Sequence, residues 1–210
     1  MQQLIREVHA IPSEIKEVIG QRMNEFSSFS HKSPEEWFSE LCFCLLTANS
    51  RAKTAMTIQK ELGFKGFYSL KQEKLVECIK RNKHRFHNTK AARIVEARKY
   101  SDIKSVIQNI VKEEGQKSAR DWLVKNVKGL GYKEASHFLR NTGHENLAII
   151  DRHILSILGE HNLIQNTLKA SPKNYLEIES ACQSLAKSLN MSLSKLDLSL
   201  WYIKTGTVLK

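Results

Sequence analysis

Residues that break or cross-link a chain are scarce here: 210 residues hold three prolines, nine glycines and four cysteines. With 41% of residues apolar, so few breakers exclude a collagen-like or disordered chain. The four cysteines, with only Cys42 and Cys44 close together, lack the density of a disulfide scaffold. No basic start leads into a signal-like apolar stretch, and the expectation is a reduced, intracellular protein. Long apolar runs are also missing. The longest, Leu41 to Leu46, is far short of the roughly 20 residues that cross a bilayer. Alternating, strand-like runs are nearly absent, and there is no fixed-period repeat and no low-complexity stretch. At about 150 residues per domain, the length allows one domain or two small lobes sharing a core.

Acid is scarce in one place above all. The chain carries 33 Lys+Arg against 22 Asp+Glu, a formal charge of +11. Between residues 80 and 99 eight bases (Lys80, Arg81, Lys83, Arg85, Lys90, Arg93, Arg98, Lys99) face Glu96 alone. A solvated helix face normally interleaves acids at i,i+4 to relieve such repulsion. The run therefore points to contact with nucleic acid or another polyanion, with plain solubility as the alternative. A membrane-surface role needs a broad apolar face, and residues 80–89 offer only Phe86.

What the chain has in quantity is helical period. Pro12, Pro34 and Pro172 each read as a helix start. Ser33-Pro34-Glu35-Glu36 places an N-cap before a first-turn proline and two acids, and Trp37, Phe38, Leu41, Leu45 and Leu46 follow at helical spacing. The same period recurs over 75–81, 91–99, 103–113, 119–127, 133–141, 152–158, 172–189 and 194–203. The fold class is all-α. No linker marks a boundary, so two helical lobes around a hinge fit better than two independent domains.

Within residues 118–142 one helix ends at Lys128-Gly129-Leu130-Gly131 and a second follows. Such a turn can aim the backbone N–H groups of Gly129, Leu130 and Gly131 at a phosphate, helped by the dipole of the second helix. An ordinary helix–helix corner explains it as well. Lys133 lies in the first turn of that second helix, where the dipole disfavours a cation. The same potential, with partial burial and bases such as Lys128, would lower its pKa toward neutral, as an amine nucleophile requires. A lysine whose head reaches into solvent is the plainer reading of that position. Asp151 opens another helix after the apolar stretch Leu147-Ala-Ile-Ile150. N-cap duty suffices to explain it, but an aspartate so placed can also be half-buried and rigidly held.

Val127-Lys-Gly-Leu-Gly-Tyr-Lys-Glu-Ala135 resembles the helix-hairpin-helix of the endonuclease III-like base-excision glycosylase superfamily. Lys133-Glu-Ala-Ser-His-Phe-Leu-Arg-Asn-Thr-Gly143 and Leu147-Ala-Ile-Ile-Asp-Arg-His153 are similar to its 8-oxoguanine DNA glycosylase/AP lyase branch of type 2. The likeness extends to Leu45-Leu-Thr-Ala-Asn49, Arg85-Phe-His-Asn-Thr-Lys-Ala91 and Leu200-Trp-Tyr-Ile-Lys204, and so covers most of the chain. It implies one glycosylase unit over 1–210, with the hairpin at the cleft between a central lobe of about 50–145 and a second lobe of 1–49 plus 146–210. The implied catalytic pair is Lys133 and Asp151. The uncharged amine of Lys133 would attack C1′ and displace the damaged base, and the resulting Schiff base would permit β-elimination, while Asp151 would stabilise charge developing on the sugar. Phe86 and Trp201 would sandwich the flipped base, Lys210 would read its guanine edge through the terminal carboxylate, and Asn49 would fill the vacated stack. As bare sequence features these are equally core aromatics, a frayed terminus and a helix cap. The implied partner is double-stranded DNA carrying 8-oxoguanine or abasic sites, bound by a monomer, with no membrane.

One departure from endonuclease III is plain. Cys42, Cys44, Cys78 and Cys182 do not form its iron–sulfur pattern, so no cofactor is expected and the thiols read as core packing. His137 and His153 lack the paired spacing of a metal site, and catalysis is expected to be metal-free. Two alternatives stay open: a non-enzymatic helix-hairpin-helix DNA-binding module, and a glycosylase of this fold acting on oxidised pyrimidines or alkylated purines.

Overall fold

A computed structural model of the chain describes residues 1–165 and 170–209. Among them every regular element is helical and none is a strand, as the period of the sequence requires. In chain order the helices are α1 (Gln2–His9), α2 (Ser13–Phe29), α3 (Pro34–Thr47), α4 (Ala52–Ser69), α5 (Gln72–Arg81), α6 (His87–Ala97), α7 (Ile103–Glu114), α8 (Gln116–Asn126), α9 (Tyr132–Asn141), α10 (Arg152–Glu160), α11 (Tyr175–Ser188) and α12 (Leu193–Thr205). No helix among the described residues is long and apolar enough to cross a membrane. The chain divides into a central unit, His31–Phe138, and an outer unit made of Met1–Ser30 and the chain from Leu139 onward.

The central unit is built around α3. Its start is fixed by a full capping box, in which Glu36 N–H donates to Ser33 Oγ (3.3 Å) and Ser33 N–H donates to a Glu36 carboxylate oxygen (3.0 Å). Beyond that first turn almost every side chain is buried, including Trp37, Phe38, Leu41, Cys42, Phe43, Cys44, Leu45 and Leu46. A helix apolar on all sides belongs inside a bundle, and α3 packs against α4, α6 and α7. At about 1.5–3 kcal/mol for each large apolar side chain, this helix is the main hydrophobic anchor of the unit. The central unit therefore begins at His31 and takes in α3, whereas the sequence reading assigned residues up to 49 to the other lobe. The reason is that the faces that cover α3 come from residues 52–114.

The outer unit packs α12 against α1, α2, α10 and α11. Arg140 reaches Asp197 of α12 at 2.5 Å, both side chains nearly sealed from solvent, and its guanidinium lies 4.7 Å above the Phe26 ring of α2. Helix α9 ends in a Schellman turn, with His144 N–H on Leu139 O and Gly143 N–H on Arg140 O. Gly143 sits at φ 95, and a Cβ there would press to 3.1 Å from Phe26 O, so only glycine closes this turn. The helix expected from Pro172 starts three residues later. Ser171 N–H and Oγ both donate to Asn174 Oδ1, so Pro172 opens a capped turn that leads into α11. All four cysteines are free and buried, as packing residues should be.

Candidate active site

On the central unit, the hairpin turn joins α8 to α9. Gly129 adopts φ 103, and a Cβ on it would meet Arg93 of α6 at 3.2 Å and Leu45 of α3 at 3.3 Å. Glycine is required there on both counts. Leu130 is buried and its N–H donates to Val127 O (3.1 Å). The N–H of Gly131 donates to Glu134 Oε2 (3.3 Å), so Glu134 caps its own helix from the first turn. Two of the three turn amides expected to meet phosphate thus already have partners, and a phosphate reaching Gly131 must displace the Glu134 carboxylate. Lys133 follows at the mouth of α9 with 29% of its side chain exposed and its Nζ 3.5 Å from Glu134 Oε1.

Beneath the turn, Lys90 of α6 is only 8% exposed and its Nζ donates to Leu45 O at 2.6 Å. Burial pushes this ammonium down to about 8; Glu134 opposes that, while Lys133 and Arg93 add to it. Other members of the basic run also have duties within the protein. Arg98 caps the end of α4 by donating to Phe67 O and Leu70 O, Arg93 pairs with Glu96, and Arg81 pairs with Glu61. Only part of the expected polyanion face is therefore free for a polyanion; Lys80 and Lys83 are exposed.

Asn49 follows the last turn of α3, exposed, in the left-handed region at φ 58. Its carbonyl accepts from Arg85 Nη2 (3.2 Å), and the same guanidinium lies 4.6 Å over the ring of Phe86. Phe86 is 39% exposed. Its N–H donates to Nδ1 of His84, whose Nε2 donates to Leu46 O at 2.9 Å. These bonds fix a neutral His84, and burial, opposed by the Leu46 contact, lowers its affinity for a proton. The structure thus brings Asn49 and Phe86 together through Arg85 and His84. Neither linker was singled out from sequence, although both lie in the quoted stretch 85–91 or beside it.

On the outer unit, Asp151 caps α10. Its Oδ1 accepts from His153 N–H (2.8 Å) and Ile154 N–H (2.9 Å). The lead-in, residues 147–150, is not helical and pairs with no strand among the described residues. Its backbone is satisfied instead by α11: Tyr175 Oη donates to Ala148 O (2.8 Å) and accepts from Ile150 N–H (3.2 Å), and a Glu179 oxygen accepts from Ala148 N–H (2.9 Å). His153 meets the Trp201 ring edge-on, centroids 4.8 Å apart. Trp201 is half-buried, and its Nε1 is buried with no acceptor among the described residues. Lys210 lies outside the described residues.

The model of the Ogg-HhH family, 8-oxoguanine DNA glycosylase, matches residues 19–191. The chain belongs to this family. Among similar glycosylases, the 8-oxoguanine DNA glycosylase/AP lyase of Methanocaldococcus jannaschii is 49% identical over 209 residues, 99% of each chain. That of Aquifex aeolicus is 43% identical, covering 98% of this chain and 99% of its own. Of solved structures, the M. jannaschii 8-oxoguanine glycosylase/lyase in complex with a 15mer DNA containing 8-oxoguanine matches with a TM-score of 0.94 at 48% identity, over 99% of this chain and 100% of that one. The 8-oxoguanine DNA glycosylase of Thermotoga maritima matches with a TM-score of 0.90 at 42% identity, over 100% and 99%.

Proposed function

We propose that this chain excises 8-oxoguanine from double-stranded DNA and then cleaves the backbone at the abasic site, with Lys133 as nucleophile and Asp151 as its electrostatic partner. The observation that carries the reading is a partly exposed amine in the first turn of the hairpin's second helix, in a chain of this family. C1′ of a stacked nucleotide is out of reach, so the lesion must be flipped out. Phe86 and Trp201 supply the rings to hold it, and Asn49 occupies the vacated stack. The uncharged amine of Lys133 attacks C1′, and the glycosidic electrons leave with the base, which takes up a proton. Loss of the amine proton opens the sugar to a Schiff base. Deprotonation at C2′ then expels the 3′ phosphate by β-elimination. Asp151 acts while positive charge builds on the sugar, an interaction stronger in the transition state than before it. The hairpin turn at Gly129, Leu130 and Gly131 holds a backbone phosphate, and Lys210 bears on the choice of lesion. Double-stranded DNA carrying 8-oxoguanine or abasic sites, inside the cell, is the implied partner, and no metal or cofactor is required by these steps.

The test is a panel of matched duplexes carrying 8-oxoguanine, guanine, thymine glycol or an abasic site, with borohydride trapping. The wild-type chain is expected to cut the 8-oxoguanine and abasic duplexes and to form a trapped adduct. Lys133→Gln should lose base release and adduct together while still binding DNA. An undiminished trapped complex in Lys133→Gln removes Lys133 from its role, and preference for thymine glycol overturns the assigned lesion.

A further inference from the structure

Lys90 stands out because its position costs stability and the reaction as written does not use it. An ammonium removed from water needs hydrogen bonds or a counter-charge. Lys90 has one carbonyl, Leu45 O, at 2.6 Å, and shares one carboxylate, Glu134, with Lys133. That carboxylate is divided again, since its Oε2 accepts from Gly131 N–H. Two amines thus compete for a single acid that is already partly spent on the turn. The charged groups that face Lys90 are Lys133 and Glu134 from α9 and Arg93 from its own helix; the titratable His84 of the preceding loop is held neutral, and α3 contributes only a carbonyl. The surplus is positive, and it falls on the amine nearer solvent.

We infer that Lys90 is a positioning residue for Lys133: its buried ammonium beneath the hairpin repels a charge on the Lys133 amine and so enlarges the uncharged, nucleophilic fraction. Repulsion between a neighbouring cation and the protonated amine is the general route by which such a cation activates an amine nucleophile, provided the site is dry enough to keep the interaction strong. Lys90 satisfies that condition through burial. The device has a built-in range. Because Lys90 itself loses its proton near pH 8, the effect is present below that pH and fades above it.

The inference rests on Lys133 being the nucleophile, and the experiment separates the two. Single-turnover Schiff-base formation on an abasic duplex is measured by borohydride trapping between pH 6 and 9.5 for wild type, Lys90→Gln and Lys90→Arg. Glutamine keeps a donor for Leu45 O without the charge, and arginine keeps the charge at every pH used. Lys90→Gln is expected to trap about five- to tenfold more slowly below pH 8 and to converge on wild type above it. Lys90→Arg is expected to match wild type below pH 8 and to exceed it above. DNA affinity and helical content, measured alongside, should be unchanged. If wild type itself forms no adduct, the reading of Lys133 fails. If wild type traps normally and Lys90→Gln runs parallel to it, or is slowed equally at every pH, Lys90 is a structural residue and the inference is overturned. Where Lys90→Gln does not fold, the excess of Lys90→Arg above pH 8 decides alone: its absence rejects the electrostatic role.

Discussion

The carboxylate of Asp151 divides between two oxygens. Oδ1 takes both cap bonds from α10, to His153 and Ile154, and Oδ2 makes no such bond within the described residues. Capping fixes the plane of the carboxylate, and the second oxygen stays available to a developing charge. The plain N-cap reading of the sequence and the catalytic one are therefore compatible. Asp151→Asn separates them, because an asparagine Oδ1 caps a helix as well as aspartate does. The expected outcome is a denaturation midpoint close to wild type with base excision slowed about 100-fold or more, since a preorganised charge is lost from the transition state alone. Wild-type excision rates in Asp151→Asn would leave the residue as a cap and nothing else. Gly129 was legible for a different reason: two glycines flanking one apolar residue signal a turn, and its positive φ and the contacts a Cβ would make explain the first of them. Lys90, Arg85 and His84 were not legible as individuals. Their duties lie toward carbonyls 36–45 positions away, and a basic run looks the same whether it faces solvent or a helix end.

At the scale of elements, the sequence was most readable where a helix announces both its start and its apolar face. Ser33-Pro34-Glu35-Glu36 did so, and the capping box is there. Helix α4 did not. It is broken at Gly63, φ 53, and its few buried residues, Ala55, Ile58 and Phe67, show no sustained period. The first turn of α6, His87-Asn88-Thr89, has no apolar residue to announce it, so the spacing pointed to a start at 91. The apolar stretch 147–150 joins no helix, and its backbone is bonded by side chains of α11 in place of a neighbouring strand. That substitution has a measurable consequence. Tyr175→Phe leaves Ala148 O and Ile150 N–H buried without their bonds, each at about 1–3 kcal/mol. A loss of about 2–4 kcal/mol in unfolding free energy is expected by denaturant titration. Because this segment delivers Asp151 to the start of α10, base excision should fall further than DNA affinity does. Unchanged stability would mean that the lead-in is held by packing.

For the whole molecule, acid should weaken the fold through two sets of groups with the same sign. His84 and His144 are both held below the ordinary histidine value, each chiefly by burial and each opposed by a backbone carbonyl, Leu46 O and Leu139 O. Unfolded histidine takes a proton near pH 6.5 and the folded form resists it. The stability these two contribute is thus complete above about pH 6.5 and is lost as pH falls from there toward their lower folded values. Glu36, Glu61 and Glu160 are held below the usual carboxylate range, mainly by hydrogen bonds from Ser33, Asn82 and Lys204 respectively. Their contribution is present above about pH 4.5 and disappears below it. Solvent screens these exposed carboxylates, so the histidine window should dominate. The charge of +11 acts in the same direction, because every proton gained adds to self-repulsion. Salt tells the two causes apart: it screens repulsion between exposed charges but leaves the cost of charging a buried imidazole nearly intact. Urea midpoints measured at pH 7.5, 6 and 5, with and without added salt, should fall across the series, and most of the fall should persist in salt. The double variant His84→Gln/His144→Gln should flatten that salt-resistant part. A decline abolished by salt in the wild-type chain would assign acid sensitivity to net charge and free both histidines from this role.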